Sequence, residues 1–467
     1  MVRTWWSAVV VVTLGCGNAS TGHDTDAAAG DAESDSGPHG TSDGSSGAMD
    51  PVAAGCGNGR VEGDEECDLG FANRNDGACT SACTLARCGD GWVAADEGCD
   101  PGPEATETSE CTAQCTIRSD VAVAVTFDGP AHGHDTAVAI AARPGGGAVA
   151  VVDFVGRTQD HVLVAIDAAG EESWRVALAS ESLSALTRTQ IEVDPRTGTT
   201  FVAFERTAGW DKLVDLTAVD ADGATSWSHS WMPTRDPTTA QTGLGGLALV
   251  GGLPVLALTT GQYPWTAQTR ILSVSLEGAV TEDGPLDTEL HRFVPAPDGA
   301  FYGVGPPTGL VRISDGQVQW EVDAGSVNDP DIAVLDDGTV ALLTAGNSTE
   351  VDHTVQVFDV EGSSRLTVDV PLLAAAIAPR PTGGFVVTGE LEALPGQLST
   401  NTRVGLLAYD AEGTLVSTQS FDGPAAGADL GLDVNVAAAS EIWVAGAVSV
   451  GFQGTDAWLG RFGEGAP

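Results

Sequence analysis

A short turn motif recurs along the C-terminal part of this chain and limits the folds available to it. A β-branched run ends in an acidic or polar residue that is soon followed by glycine, at Asp167-Ala-Ala-Gly170, Asp220-Ala-Asp-Gly223, Ser275-Leu-Glu-Gly278, Asp315-Gly316, Asp359-Val-Glu-Gly362 and Asp410-Ala-Glu-Gly413. The mean step is about 49 residues, within the range for one blade of a β-propeller. Short apolar runs separated by Gly, Pro and Asp fill the intervals, which predicts an all-β fold.

Tryptophan follows the turn glycine by four positions in three of these copies, at Trp174, Trp227 and Trp320. A hairpin turn with an aromatic residue at a fixed offset is typical of a repeated four-stranded sheet, and we expect each ring to pack between neighbouring sheets. These units resemble the blades of quinoprotein-type and related bacterial β-propellers. The resemblance implies a propeller domain over residues 120–467.

The number of blades is predicted from a second repeat. Phe127-Asp-Gly-Pro130 near the start of this region recurs as Phe421-Asp-Gly-Pro424 near its end, about six repeats later. Residues 431–462 supply about three strands, so residues 121–127 can complete a last blade with them. Such pairing removes both exposed sheet edges. We therefore predict seven blades, with six or eight as alternatives.

Nine cysteines lie in the first quarter of the chain, and eight of them form two groups with identical spacing. The even number in an exported chain favours disulfide bonds, and each group of four allows three pairings. Zinc is the competing interpretation, but each group has only one closely spaced pair, whereas zinc sites usually have two. The eight residues are Cys56, Cys67, Cys79 and Cys83, then Cys88, Cys99, Cys111 and Cys115.

Both groups share further residues around the cysteines. Each begins with Cys-Gly-Asn/Asp-Gly, and the second cysteine is followed by Asp68 or Asp100. This pattern resembles the Myxococcus cysteine-rich repeat family of secreted and surface proteins. The resemblance implies one repeat over residues 55–87 and another over residues 88–117. Units this small need cross-links because they cannot bury a sizeable core.

The first residues of the chain predict export and anchoring. Arg3 precedes an apolar run over residues 5–14, which is too short to span a bilayer. Gly15-Cys16 at its end resembles a bacterial lipoprotein signal, which implies a signal peptide over residues 1–15 and lipidation of Cys16 with fatty acids such as palmitate. An ordinary secretory signal is the alternative. Residues 16–54, rich in Ser, Gly, Asp and Ala, predict a disordered tether.

These features predict a protein held in the outer membrane or on the cell surface by its lipid anchor, or otherwise a periplasmic or secreted one. The formal net charge is −45, from 65 acidic and 20 basic residues. Such a charge repels phosphate backbones and excludes nucleic acid as a partner.

Candidate metal ligands are few. His132, His134 and Asp135 lie close together in sequence, although the internal copy of this segment has Ala426 and Ala428 in place of the histidines. Asp68 and Asp76 of the first cysteine-rich repeat offer oxygen ligands suited to Ca²⁺. The alternative is that the histidines are surface residues and that the acidic side chains cap turns.

The motif search predicts no catalytic residue and no cofactor other than Ca²⁺. The propeller region has no cysteine, nucleophile elbow, zinc-protease helix or phosphate-binding loop. A non-enzymatic binding or scaffold module for a protein or polysaccharide is therefore favoured. The alternatives are an extracytoplasmic enzyme (a quinoprotein-like dehydrogenase or a carbohydrate-active hydrolase or lyase) and an outer-membrane assembly factor. Converging carboxylates with shifted pKa values in a central funnel would favour an enzyme.

Overall fold

The computed structural model describes residues 56–74, 78–85, 87, 90 and 121–463, the last range with breaks at 157–158, 182–187, 209–210, 233–240, 262–267, 306–308, 324–327, 346–352, 393–401, 426, 438–440 and 452–453. The signal peptide, Cys16, the tether, Asp76 and the four cysteines of the second repeat lie outside these residues. The chain divides into two compact units, one with most of the first cysteine-rich repeat and one with the propeller. No helix in the described ranges is long and apolar enough to cross a membrane.

Two disulfide bonds hold the first cysteine-rich repeat together. Cys56 pairs with Cys83 and Cys67 with Cys79, so the shorter loop is nested inside the longer one. This nested arrangement is one of the three pairings that the sequence left open. Among the residues described in this unit, Gly70–Ala72 form one 3₁₀ turn.

The Asp68 carboxylate organises this repeat. It accepts five hydrogen bonds, from the backbone N–H groups of Gly57, Asn58, Gly59 and Gly70 and from Nδ2 of Asn73, at 2.7–3.1 Å. Burial would raise the pKa of Asp68, but these donors lower it below its usual value. The Cys-Gly-Asn-Gly opening and the Cys-Asp centre of the motif are thus joined through one side chain.

The rest of the described chain forms seven four-stranded antiparallel sheets. Blade one is β2 (Thr136–Ala142), β3 (Ala148–Val155), β4 (Gln159–Ile166) and β5 (Glu172–Glu181); blade two is β6 (Thr189–Val193), β7 (Thr200–Ala208), β8 (Asp211–Val219) and β9 (Thr225–Trp231); blade three is β10 (Gln241–Val250), β11 (Leu253–Gly261), β12 (Gln268–Val274) and β13 (Val280–Leu286); blade four is β14 (Arg292–Pro295), β15 (Phe301–Gly305), β16 (Gly309–Ser314) and β17 (Gln317–Val322). Blade five is β18 (Asn328–Val334), β19 (Val340–Ala345), β20 (His353–Phe358) and β21 (Ser364–Val370); blade six is β22 (Leu373–Pro379), β23 (Phe385–Glu392), β24 (Thr402–Tyr409) and β25 (Leu415–Phe421); blade seven is β26 (Leu430–Val436), β27 (Glu441–Ser449), β28 (Thr455–Gly463) and β1 (Val121–Phe127).

Blade seven confirms the predicted ring closure. Its outermost strand is β1, which pairs antiparallel with β28 so that Phe127 lies opposite Ala457. Phe127 is buried in the apolar cluster between blades seven and one, with Trp443 and Phe154. The first and last strands of the propeller therefore share one sheet, and seven blades is the correct count.

The two copies of the Phe-Asp-Gly-Pro motif serve the same structural purpose. Asp135 accepts hydrogen bonds from the N–H groups of Gly129 (2.5 Å) and Val155 (2.9 Å). Asp429, its internal counterpart, accepts them from Gly423 and Ser449. Each buried carboxylate fixes the segment that leads from the outer strand of one blade to the first strand of the next.

The repeated tryptophans pack between blades, as predicted. The three indole Nε1 atoms donate hydrogen bonds of 2.8–2.9 Å to carbonyl oxygens in the next blade: Trp174 to Ala221, Trp227 to Leu276 and Trp320 to Val360. The turn glycine of that next blade lies against the ring, and at Gly223 an added Cβ would be 2.8 Å from Cγ of Trp174. Gly223 also has a φ of +89°, so both backbone and packing require glycine.

Candidate binding cavity in the central channel

The first strand of each blade lines the central channel, and we call these seven strands (β2, β6, β10, β14, β18, β22 and β26) the inner strands. Because the strands of each sheet alternate in direction, all inner strands begin at the same face of the ring, here called the entry face. The opposite face, where they end, is the exit face. Val121, the first residue of β1, lies at the exit face because β1 runs opposite to the inner strands.

A cavity of about 270 Å³ lies in the channel toward the entry face. Residues in or just before the first halves of six of the seven inner strands line it, β10 being the exception. Its polar lining consists of Arg188, Thr189, Gln190, His291, Arg292, Asp331 and Asp433. The cavity is therefore a polar site built from most of the ring.

Three of these side chains bind the backbone of the neighbouring blade. Asp433 accepts a hydrogen bond from Ile140 N (2.8 Å), Asp331 from Ile377 N (2.9 Å) and Gln190 from Leu247 N (2.6 Å). Each donor N–H belongs to an inner strand, which is the edge of its sheet and is paired on one side only. An edge strand leaves backbone N–H groups outside the ladder, and a buried unpaired N–H is unfavourable. The polar side chains satisfy these groups and join successive blades.

Arg292 is the electrostatic centre of the channel. Its Nε lies 2.7 Å from Oδ1 of Asp331. Burial would lower the pKa of the guanidinium, but the charges of Asp331, Asp433 and Glu192 raise it. Glu192 lies two residues beyond Gln190 on the same face of β6.

Two carboxyl groups near Arg292 have raised pKa values. Burial raises the pKa of Glu192 to about 7, where Arg292 opposes the shift and Asp433 adds to it. Burial also raises the pKa of Asp433 to about 6, again against the charge of Arg292. The channel thus holds converging carboxylates that titrate near neutral pH, the feature that would favour an enzyme.

Of the metal ligands predicted after β1, Asp135 lies in a cluster of possible ligands, whereas His132 and His134 do not. The structure brings the carboxylates of Asp135, Asp128 and Asp456 together, with ligand atoms within 4.8 Å of one another, and neither histidine belongs to this set. His132 Nδ1 lies 2.5 Å from Asp128 Oδ2, and His134 forms a parallel bridge with Thr455. Both oxygens of Asp135 already accept backbone N–H bonds, which favours a structural role for this residue.

Asp68, the candidate Ca²⁺ ligand in the cysteine-rich repeat, is similarly engaged. Its two oxygens face five N–H donors, and these donors occupy the lone pairs that a cation would need. Glu65 and Cys83 lie near it, but the Cys83 sulfur is in a disulfide bond. Asp76, the other candidate, falls outside the described residues.

The cavity residues were not among the predicted site residues, although the sequence contains a weak indication of them. Glu192 and Asp433 are charged residues inside short apolar runs, at Thr189-Gln-Ile-Glu-Val193 and Leu430-Gly-Leu-Asp-Val434. Such a residue on a buried strand must face a partner or a cavity. Their convergence could be recognised only once the first strand of each blade was known.

Comparisons with solved structures give alignments of low sequence identity. No protein-family profile and no curated protein sequence matches the chain. A streptogramin B lyase structure aligns over 73% of this chain and 97% of its own, at 13% identity and a TM-score of 0.45. The WD40 β-propeller domain of Doa1 aligns over 74% and 96%, at 13% identity and 0.45. Virginiamycin B lyase from Staphylococcus aureus aligns over 73% and 98%, at 10% identity and 0.44. At these values the comparisons carry no argument about activity.

Proposed function

We propose that this chain is a lipid-anchored protein of the outer membrane or cell surface whose β-propeller is a non-enzymatic binding module for a protein or polysaccharide. Lipidated Cys16 would hold it to the membrane, and residues 17–54 would tether the folded units. The cysteine-rich repeats would act as cross-linked spacers. The net charge of −45 supports a partner other than nucleic acid.

The main support for a binding function is that the Asp331 and Asp433 carboxylates in the channel accept hydrogen bonds from the protein itself. Both oxygens of Asp331 accept hydrogen bonds, from Ile332 N, Ile377 N and Arg292. Both oxygens of Asp433 accept backbone N–H bonds as well. Carboxylates fixed in this way stabilise the ring and shape the cavity, and their proton-accepting lone pairs face backbone donors instead of a reacting molecule.

The anchor is tested by metabolic labelling with a palmitate analogue and mass spectrometry of the mature protein. The wild type should carry acyl chains on Cys16 and sediment with membranes, since two or more chains give stable anchoring. Cys16→Ser should lose both the label and the membrane fraction. Mature wild-type protein with unmodified Cys16, or cleaved elsewhere, would contradict the anchor.

The binding assignment is tested by capture from native cell envelopes with two baits. Residues 18–467 should enrich a protein or polysaccharide, and residues 118–467 should enrich the same molecule because the propeller supplies the surface. Residues 18–117 serve as the control and should not capture it. If residues 18–117 capture the molecule and residues 118–467 do not, the binding activity lies outside the propeller.

A second candidate function, an extracytoplasmic enzyme, is favoured by one observation. Glu192, with its pKa near 7 beside Arg292, has the proton affinity of a general acid or base at neutral pH. The test is to incubate the protein with a panel of polysaccharides and to measure cleavage as the release of reducing ends or unsaturated products. An enzyme of this kind should lose at least about a hundredfold in rate in Glu192→Gln. Equal rates in the two proteins would exclude Glu192 as the catalytic group.

A further inference from the structure

The cavity wall offers more unused hydrogen-bond donors than unused acceptors. Asp331, Asp433 and Gln190, its main acceptors, are already bound to backbone N–H groups. Several donors remain. In the described part of the chain the Arg188 side chain makes one hydrogen bond, from Nη1 to Leu244 O at 3.3 Å. Arg292 uses Nε for Asp331, which leaves its two Nη groups for another acceptor.

Thr189 gives independent support for a missing acceptor. Thr189 lines the cavity, and its buried hydroxyl has no hydrogen-bond partner in the described part of the chain. Leaving a buried polar atom unpaired is unfavourable, so native structures usually provide a partner. Rotation of the Thr189 side chain would turn this hydroxyl toward the cavity, where a ligand oxygen would supply one.

The charge at the cavity also differs from that of the whole protein. The chain has 20 basic residues against 65 acidic ones, yet Arg188 and Arg292 line this one cavity, together with His291. Asp331 and Asp433 offset the two guanidinium charges. An anionic group bound to the remaining Nη donors would form charge-assisted hydrogen bonds, which are stronger than neutral ones.

We propose that the entry-face cavity binds a small, oxygen-rich carboxylate of about the size of one uronic acid residue, with its carboxylate on Arg188 and Arg292 and a hydroxyl or ring oxygen on Thr189. The volume of about 270 Å³ lies just below the usual range for pockets of drug-sized ligands and fits one sugar unit. This inference rests on the binding function proposed above and names the chemical class of its ligand. It can fail while that function stands, because a propeller can also bind partners through its loops.

The charged groups around Arg292 give the inference a pH signature. Asp331, Asp433 and Glu192 face the guanidinium, and Arg188, His291 and Glu289 lie at the same end of the channel. Protonation of Glu192 or Asp433 makes the cavity more positive. Binding of a carboxylate should therefore strengthen as the pH falls from about 8 to about 6, through the pKa values of Glu192 and Asp433.

Isothermal titration of residues 18–467 with D-glucuronate, D-glucose and D-glucosamine tests this proposal. Glucuronate should bind best, and Arg188→Gln should weaken it about tenfold or more because a charged hydrogen bond is lost. Arg196→Gln is the matched control. Arg196 lies in the same blade and also donates to a carbonyl of blade three (Gly251 O, 2.7 Å), but it is on the exit face, so its variant should bind normally.

Thr189→Val is a second test variant, and this substitution conserves the size and charge of the side chain. It should weaken glucuronate binding while leaving the melting temperature near that of the wild type, because the buried hydroxyl has no partner to lose among the described residues. Undetectable glucuronate binding, equal affinity in Arg188→Gln and wild type, or tighter binding of glucosamine would each overturn the proposal. Envelope capture by residues 118–467 alongside any of these results would show that only the ligand class was wrong.

Discussion

The first cysteine-rich repeat and the propeller close their chains by different physical means. In the repeat, buried Cys79 and Cys83 belong to the two disulfide bonds, and its large apolar side chains, such as Phe71 and Leu69, are exposed. In the propeller, seven apolar clusters fill the spaces between blades, and β1 closes the ring by backbone pairing with β28. A short segment needs covalent bonds, whereas a long one can bury enough surface to close without them.

Both regions nevertheless use an aspartate that collects backbone N–H groups. Burial would raise the pKa of Asp68, but five donors lower it, and little protein lies beyond those first neighbours. Burial raises the pKa of Asp429 to about 6 although Ser449 and Gly423 also donate to it. The same device therefore shifts the pKa in opposite directions, because the amount of surrounding protein decides how much hydration the carboxylate loses.

The largest expected effect comes from removing the closing strand. A chain that starts at Gly129 lacks β1 and therefore the buried Phe127 and the paired edge of β28. We expect the free energy of unfolding of the propeller to fall by more than about 4 kcal/mol. Urea denaturation followed by tryptophan fluorescence measures it. A chain that starts at Ile117 keeps β1 and should match the full protein; equal loss in both chains would contradict closure by β1.

Reduction of the disulfide bonds should affect only the other region. The bonds Cys56–Cys83 and Cys67–Cys79 should each stabilise the first repeat by about 3 kcal/mol, since they restrict its unfolded chain. Dithiothreitol should make residues 55–87 sensitive to protease, while the propeller, which has no cysteine, keeps its melting temperature. A propeller that melts earlier after reduction would show that its stability depends on the cross-linked segment.

A smaller effect is expected at the contacts between blades. Gly223 and Gly316 both have positive φ, but only Gly223 packs on a ring, that of Trp174. Alanine should be strained by the backbone at both positions, and Gly223→Ala should lose about 2 kcal/mol more because its Cβ meets the indole. Thermal denaturation of the two variants compares them directly. Equal losses would mean that the backbone conformation alone selects glycine.

The smallest effect concerns the channel charge. The pKa of Glu192 is raised to about 7 in the folded protein, so the folded state holds a proton that the unfolded state releases. This proton stabilises the fold at low pH, and the stabilisation is lost as the pH rises through about 7, by about 1 kcal/mol between pH 6 and 8. Denaturation at both pH values should show that the free energy of unfolding changes less between pH 6 and 8 in Glu192→Gln than in the wild type. Glu412→Gln, in an exposed turn, should keep the wild-type difference; the opposite ranking would contradict the assignment.

The repeat-based predictions succeeded because their signals are local. The Asp-to-Gly turns, the tryptophans at fixed offset and the two Phe-Asp-Gly-Pro copies each require a particular residue at a particular backbone position. The cavity could not be found in this way. Its residues, such as Arg188 and Asp433, lie far apart in the chain and become neighbours only through the curvature of the ring.

By itself, the sequence predicted an all-β propeller closed by its first strand, with seven blades favoured over six or eight, because turn chemistry and strand periodicity act over a few residues. It also determined which cysteines are available for cross-linking. The tertiary structure alone decided that Cys56 pairs with Cys83, that Asp68 gathers N–H groups, and that Arg292 sits among three carboxylates. These outcomes depend on distances between remote segments, which spacing along the chain does not specify.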